Sequence, residues 1–103
     1  MEDYREVLGI YEGKQLRLLL KIRECKTMIT EALKLVKTGQ KDKAREAMEA
    51  AEDLMAEATE ISAELFAEES GDDNVSLRTS FILDSLSDCQ TTLELSREIM
   101  ELY

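Results

Sequence analysis

The chain has 103 residues, 44% of them apolar and 35% charged, with a formal net charge of −10 and neither proline nor histidine. That length suits one domain with a modest core, and the apolar share is too large for a disordered chain. The negative field disfavours generic DNA, RNA or anionic-membrane binding. The missing imidazole removes a frequent zinc ligand and the usual base beside a nucleophilic cysteine or serine.

From about residue 3 to residue 38, apolar residues recur at alternating spacings of four and three, as one packed helix face requires. Tyr4, Tyr11, Leu18, Cys25 and Ala32 form one row; Leu8, Gln15, Ile22, Ile29 and Val36 form the other. Gly9 and Gly13 interrupt the pattern near its start and predict a bend or fraying, since each costs about 1 kcal/mol of helix propensity relative to alanine. Gly39 is placed just past the helix end, where a left-handed conformation is favourable. Lys34 and Lys37 in the last turn complement the helix dipole.

A second helix is predicted over about 41–69. Its rows are Ala44, Ala51, Ala58 and Leu65, and Ala47, Leu54 and Ile61, with Met48 and Met55 alongside. Alanine at successive seam positions lets a neighbouring helix approach closely. The segment Ser70-Gly71-Asp72-Asp73-Asn74 reads as a turn, with Gly71 ending the second helix and Asp73 or Asn74 capping the third. The third helix is predicted over about 74–102. Its seam is Ile82, Leu86, Cys89, Leu93, Ser96, Met100 and Tyr103, with Phe81, Leu83, Leu95, Ile99 and Leu102 off that line.

Two short turns make sequential helices antiparallel neighbours. The expected fold is therefore all-α, an up-down-up three-helix bundle with long helices in a single domain over 1–103. Reflection about turns near 39 and 72 places residue n of the first helix level with residue n+66 of the third. Cys25 then lies level with Thr91, close to Cys89 across the core. The third helix carries more apolar residues than one seam uses, so self-association, most simply as a dimer, would complete the bundle.

Residues 1–40 hold eight Lys/Arg against six Asp/Glu, whereas residues 41–73 hold three against twelve. The carboxylates Glu46, Glu49, Asp53, Glu57, Glu60, Glu64 and Glu68 share one broad face of the second helix. Such a row can hold a metal when a Glu-x-x-His motif joins it; without histidine, a solvated or cation-paired face is the expected reading. No metal or cofactor site is predicted, and the basic residues Lys14, Arg17, Lys21 and Arg23 are interleaved with acidic ones. The two cysteines lack metal-type spacing and read as small core residues. The serines and threonines have no base to activate them, so no catalytic residue is assigned. Met1-Glu2-Asp3 is acidic with no apolar stretch behind it, and Leu18-Leu19-Leu20 is the longest apolar run. The expectation is a cytoplasmic protein with free thiols.

Residues 31–55, on Ala32, Leu35, Gly39, Ala44, Met48 and Ala51, resemble a single helical hairpin of the tetratricopeptide kind. A similar hairpin opens the microtubule-interacting-and-transport domains, and the same alternation resembles small flagellar-export chaperones. There is no second repeat and no closing proline, so an array is excluded, and no family is assigned. All three resemblances imply protein–protein binding. The leading expectation is an acidic interaction module, adaptor or chaperone-like, that takes a partner helix or basic segment. Phe81, Leu95, Ile99 and Leu102 would supply apolar contact, and Glu57, Glu60 and Glu64 would steer the partner. The alternative is an obligate homodimer with a structural role; a carboxylate-bound metal enzyme is the remote one.

Overall fold

The computed structural model describes residues 13–69 and 76–103. They form three helices, α1 (Lys14–Lys37), α2 (Lys41–Glu69) and α3 (Leu77–Glu101), with no strand among the described residues. Side-chain bridges give the directions. Lys14 pairs with Glu64 at 3.6 Å and Lys21 with Glu57 at 2.8 Å, so α1 and α2 run antiparallel. Gln15 reaches Thr79, and Cys89 faces the carbonyl of Ile22, so α1 and α3 run parallel. The separations in those last pairs, 64 and 67 residues, bracket the expected offset of 66. The fold is the up-down-up bundle that the spacing predicts.

The first turn is a Schellman motif. Gly39 adopts φ 81°, its N–H bonds the Val36 carbonyl at 3.2 Å, and the Gln40 N–H bonds the Leu35 carbonyl at 2.9 Å. Two otherwise orphaned carbonyls are thereby satisfied. Thr38 adds its hydroxyl to Leu35 O at 3.0 Å, and the Gln40 amide donates to that hydroxyl at 2.9 Å.

Three boundaries differ from expectation. α1 begins at Lys14 because Gly13, at φ 52° and ψ −118°, turns the backbone out of helical geometry. The rest of the helix predicted from residue 3, with Tyr4, Leu8, Gly9 and Tyr11, lies outside the described residues. α3 begins at Leu77, not near 74, with Ser76 as its cap; Gly71, Asp73 and Asn74 lie outside the described residues. Tyr103, assigned to the α3 seam, is exposed beyond the helix end, where no turn remains to carry it inward.

The core joins Leu18, Ile22, Cys25 and Ile29 of α1 to Ala51, Met55, Ala58 and Ile61 of α2 and to Ile82, Leu86, Cys89 and Leu93 of α3. Each large aliphatic side chain here contributes roughly 1.5–3 kcal/mol by leaving water. On α2 the second buried row is Met48 and Met55 instead of Ala47 and Leu54, which are half-buried. The long, unbranched methionines fill the space left opposite the alanines. Ala44, Ala51 and Ala58 are fully buried. At Ala51 the helices come so close that the Cys25 thiol donates to its backbone carbonyl at 3.2 Å.

Candidate functional site

α3 has one buried and one exposed face. Thr79, Ile82, Leu86, Cys89, Leu93 and Ser96 point into the bundle. Two residues further along a helix is about 200° of rotation, so Phe81, Asp84, Asp88, Thr91 and Leu95 point away from it. Leu77, Phe81 and Leu102 are 76%, 65% and 85% exposed, and Leu95 and Ile99 are exposed beside them. Four of these five are the apolar residues singled out in the sequence. Leu77 was missed, although it extends the four-residue step back from Phe81; a helix drawn from residue 74 hid it inside a presumed first turn. The outer line is apolar at both ends and carries Asp84 and Asp88 between them.

The carboxylates expected to steer a partner divide. Glu57 and Glu64 lie on the edge of α2 that faces α1, where Lys21 and Lys14 hold them. Lys14 also pairs with Glu68. The hydrogen bond to Glu68 raises the Lys14 pKa, and the bond to Glu57 raises that of Lys21. Glu60 is exposed and makes no ion pair among the described residues. The α1–α2 edge lies across the bundle from the outer face of α3, so the structure does not bring the glutamates together with Phe81 and its neighbours. Among the described residues no three His, Cys, Asp or Glu side chains converge as a metal site would require.

A polar cluster that sequence reasoning missed sits where α2 ends and α3 begins. Ser76 Oγ accepts from the Thr79 N–H at 3.1 Å, the ordinary N-cap bond. Glu69, reaching over from α2, accepts from the Ser76 N–H at 2.8 Å and also from the Thr79 hydroxyl. Gln15 of α1 donates to the same hydroxyl at 3.0 Å, and so does Ser76 Oγ at 3.0 Å. The fully buried Thr79 hydroxyl thus donates once and accepts twice, its full capacity. The Thr79 bond, followed by the Ser76 N–H, holds the Glu69 carboxyl below its ordinary pKa. This cluster ties all three helices at one end. Its hydroxyl has no exposure to a substrate.

Both cysteines are free and buried. Burial, then hydrogen bonding with Cys89, pushes the Cys25 thiol up to about 12, the reverse of an activated nucleophile. A concavity of about 560 Å³ runs along α1 past Leu19, Leu20 and Ile22, with Arg23, Lys26 and Lys34 on the α1 side and Ser85 of α3 opposite. No described helix is long and apolar enough to cross a membrane.

Residues 14–103 match the family model described as "PTS system, Lactose/Cellobiose specific IIA subunit". No curated protein matches the chain, and no solved structure does.

Proposed function

The chain belongs to the family of lactose/cellobiose-specific PTS IIA subunits, and on that premise we propose that it is a docking member of such a system, one that binds other PTS proteins without itself carrying a phosphoryl group. PTS IIA subunits are small helical protein-interaction modules and phosphotransfer components. The observation that carries the reading is the exposed apolar residues at the two ends of the outer face of α3, Leu77 and Phe81 at one and Leu95, Ile99 and Leu102 at the other. Apolar surface of that kind on a folded bundle marks a protein contact. The second part rests on chemistry. A phosphoryl group in transit needs an accessible nucleophile. The chain has no imidazole, both thiols are in the core, and the α2 carboxylates sit in a field that repels phosphate.

When no partner is bound, the same residues are the surface for self-association, most simply as a dimer, within a cytoplasmic assembly, so that dimer and partner compete for α3. An adaptor role then follows, with a partner protein engaged through α3 and Glu60 free to meet a basic segment. Incubation with the phosphorylated carrier proteins of a PTS, using radiolabelled phosphate, tests the reading directly. The expected result is complex formation with those proteins, weakened by Phe81→Ser, and no label on this chain. Stable label on the chain, or equal binding by the variant, would overturn it.

A further inference from the structure

We propose that the outer face of α3 takes a basic helix, supplied by a partner protein and packed along a second heptad seam; this rests on α3 being the docking face and names what docks there. One row of the seam is Leu77, Asp84, Thr91 and Glu98, at steps of seven. The other is Phe81, Asp88, Leu95 and Leu102, also at steps of seven. The two rows alternate at spacings of four and three, as packing against a neighbouring helix requires. Every residue in them is exposed, while Thr79, Ile82, Leu86, Cys89, Leu93 and Ser96 serve the seam inside the bundle. Four of the outer positions are large and apolar, which is more than a solvated face carries. Ile99, next to Glu98, widens the apolar end. α3 is thus patterned for two neighbours, one inside the bundle and one outside it.

Charge selects the outer neighbour. Asp84, Asp88 and Glu98 make no ion pair among the described residues. The nearby cations are placed elsewhere on the helix. Arg97 is held by Glu52 of α2 at 2.9 Å. Arg78 shares a row with Ser85, and Arg23, Lys26 and Lys34 of α1 stand across from Ser85. That row lies about 100° round the helix from Asp84 and about 60° from Asp88. The cations therefore line the α1 edge, and the carboxylates face outward. A polar residue at a seam position chooses partner and register. A carboxylate covered without a cation gives up its water for nothing. An apolar helix would leave three carboxylates in that state, and an acidic helix would add repulsion. A second copy of α3 fares no better. In parallel register Asp84, Asp88 and Glu98 each meet themselves. In antiparallel register, with Leu77 opposite Leu102, Asp84 meets Leu95, Asp88 meets Thr91 and Glu98 meets Phe81. Self-pairing is therefore the weaker use of this face. A helix with Lys or Arg opposite the carboxylates pairs all three, and arginine can do so with two parallel hydrogen bonds. From Leu77 to Leu102 the seam spans roughly 38 Å at 1.5 Å per residue. The occupant is thus a long amphipathic helix, leucine-type at both ends of one face and basic between them.

The test uses a fluorescein-labelled synthetic helix with leucines at both ends of one face and arginines between them, and its twin with glutamates in place of arginines. Fluorescence anisotropy with the full chain should show binding of the basic helix that weakens with added salt, and at least about tenfold weaker binding of the acidic twin. The double variant Asp84→Lys/Asp88→Lys, at exposed positions, should reverse that preference while its circular dichroism and melting temperature stay unchanged. A preference unmoved by the double variant would overturn the proposal. Equal binding of the two helices, weakened alike by Phe81→Ser, would overturn it and leave α3 as the docking face. Binding that Phe81→Ser does not weaken would remove the docking face as well. A photo-reactive phenylalanine analogue at Phe81 should cross-link to the basic helix. A cross-link in its presence to a second copy, or to residues 1–12 of the same chain, and not to the helix would overturn the proposal.

Discussion

The thiols of Cys25 and Cys89 meet in the core between α1 and α3, each aimed at a backbone carbonyl, Cys25 at Ala51 O at 3.2 Å and Cys89 at Ile22 O at 3.9 Å. A pair of sulfurs so placed acts as small apolar filling that also satisfies weak acceptors. With Cys25 raised to about 12, its thiolate fraction at pH 8 is about one in ten thousand. The folded protein should therefore resist alkylation by iodoacetamide at pH 8, and guanidinium-unfolded protein should take up two equivalents. Mass spectrometry reads the difference.

The same thiol makes stability depend on alkaline pH. Its folded pKa lies well above that of an ordinary thiol, so the folded state holds the proton more tightly than the unfolded chain does. The contribution is complete below about pH 9 and is lost as pH rises toward about 12. The ion pairs of Lys14 and Lys21 with their glutamates, which raise both lysine pKa values, also weaken at alkaline pH, so the stability of Cys25→Ala, which keeps those pairs, should fall less steeply over that window than that of the unsubstituted chain. Urea titrations at pH 8 and pH 10.5 measure it.

Thr79→Val should destabilise the bundle by about 1–3 kcal/mol. Valine keeps the shape, but Gln15 loses an acceptor and Glu69 a donor. Hydrogen exchange should quicken first in the opening turn of α3, where Ser76 and Glu69 act together as the cap. Because the Glu69 carboxyl is held below its ordinary range, its contribution is present above about pH 4.5 and is lost as pH falls. In Thr79→Val that acid-side loss should be smaller.

Ala51→Leu should cost about 1–3 kcal/mol or more, because the added methylenes have no space where α1 approaches the Ala51 backbone. Ala50→Leu, one position round the same helix and only half-buried, should cost much less. Paired thermal melts distinguish packing at the seam from a general effect of leucine.

Phe81→Ser in α3 and Leu102→Ser just past its end, both exposed, should leave monomer stability within about 0.5 kcal/mol. Together they should shift sedimentation toward monomer. An unchanged sedimentation profile at micromolar concentration would remove α3 from the association surface.

The helices were legible because their physics is local. Heptad spacing named Leu18, Ile22, Cys25, Ile29, Ala32 and Val36, and all six are buried. Gly39 announced its own turn because a left-handed residue suits glycine. The choice of Met48 and Met55 over Ala47 and Leu54 was not legible, since rotation of α2 about its axis is set by what α1 and α3 present to it. The Glu69–Thr79–Gln15 cluster was hidden for the same reason: its members come from three helices, and no spacing rule joins them. The exposure of Phe81, Leu95, Ile99 and Leu102 was legible because they had no place in the seam. The ties from Glu57 and Glu64 to α1 were not, because pairing depends on which edge of α2 faces the lysines.

The Thr38–Gln40 turn also bears on how the chain reaches this structure. It closes a loop of three residues, for which little chain entropy is lost. α1 and α2 can zip outward from it through contacts that begin near in sequence, at Cys25 with Ala51, and end at Lys14 with Glu68. α3 reaches α1 through contacts more than sixty residues apart, and its sequence-local contacts with α2 are the few at Glu69, so the expected nucleus is the α1–α2 hairpin, with α3 closing onto it. Gly39→Ala, strained at φ 81° though its Cβ meets nothing within 4 Å, should chiefly lower the refolding rate. Thr79→Val should chiefly raise the unfolding rate. The two substitutions would then move opposite limbs of the chevron.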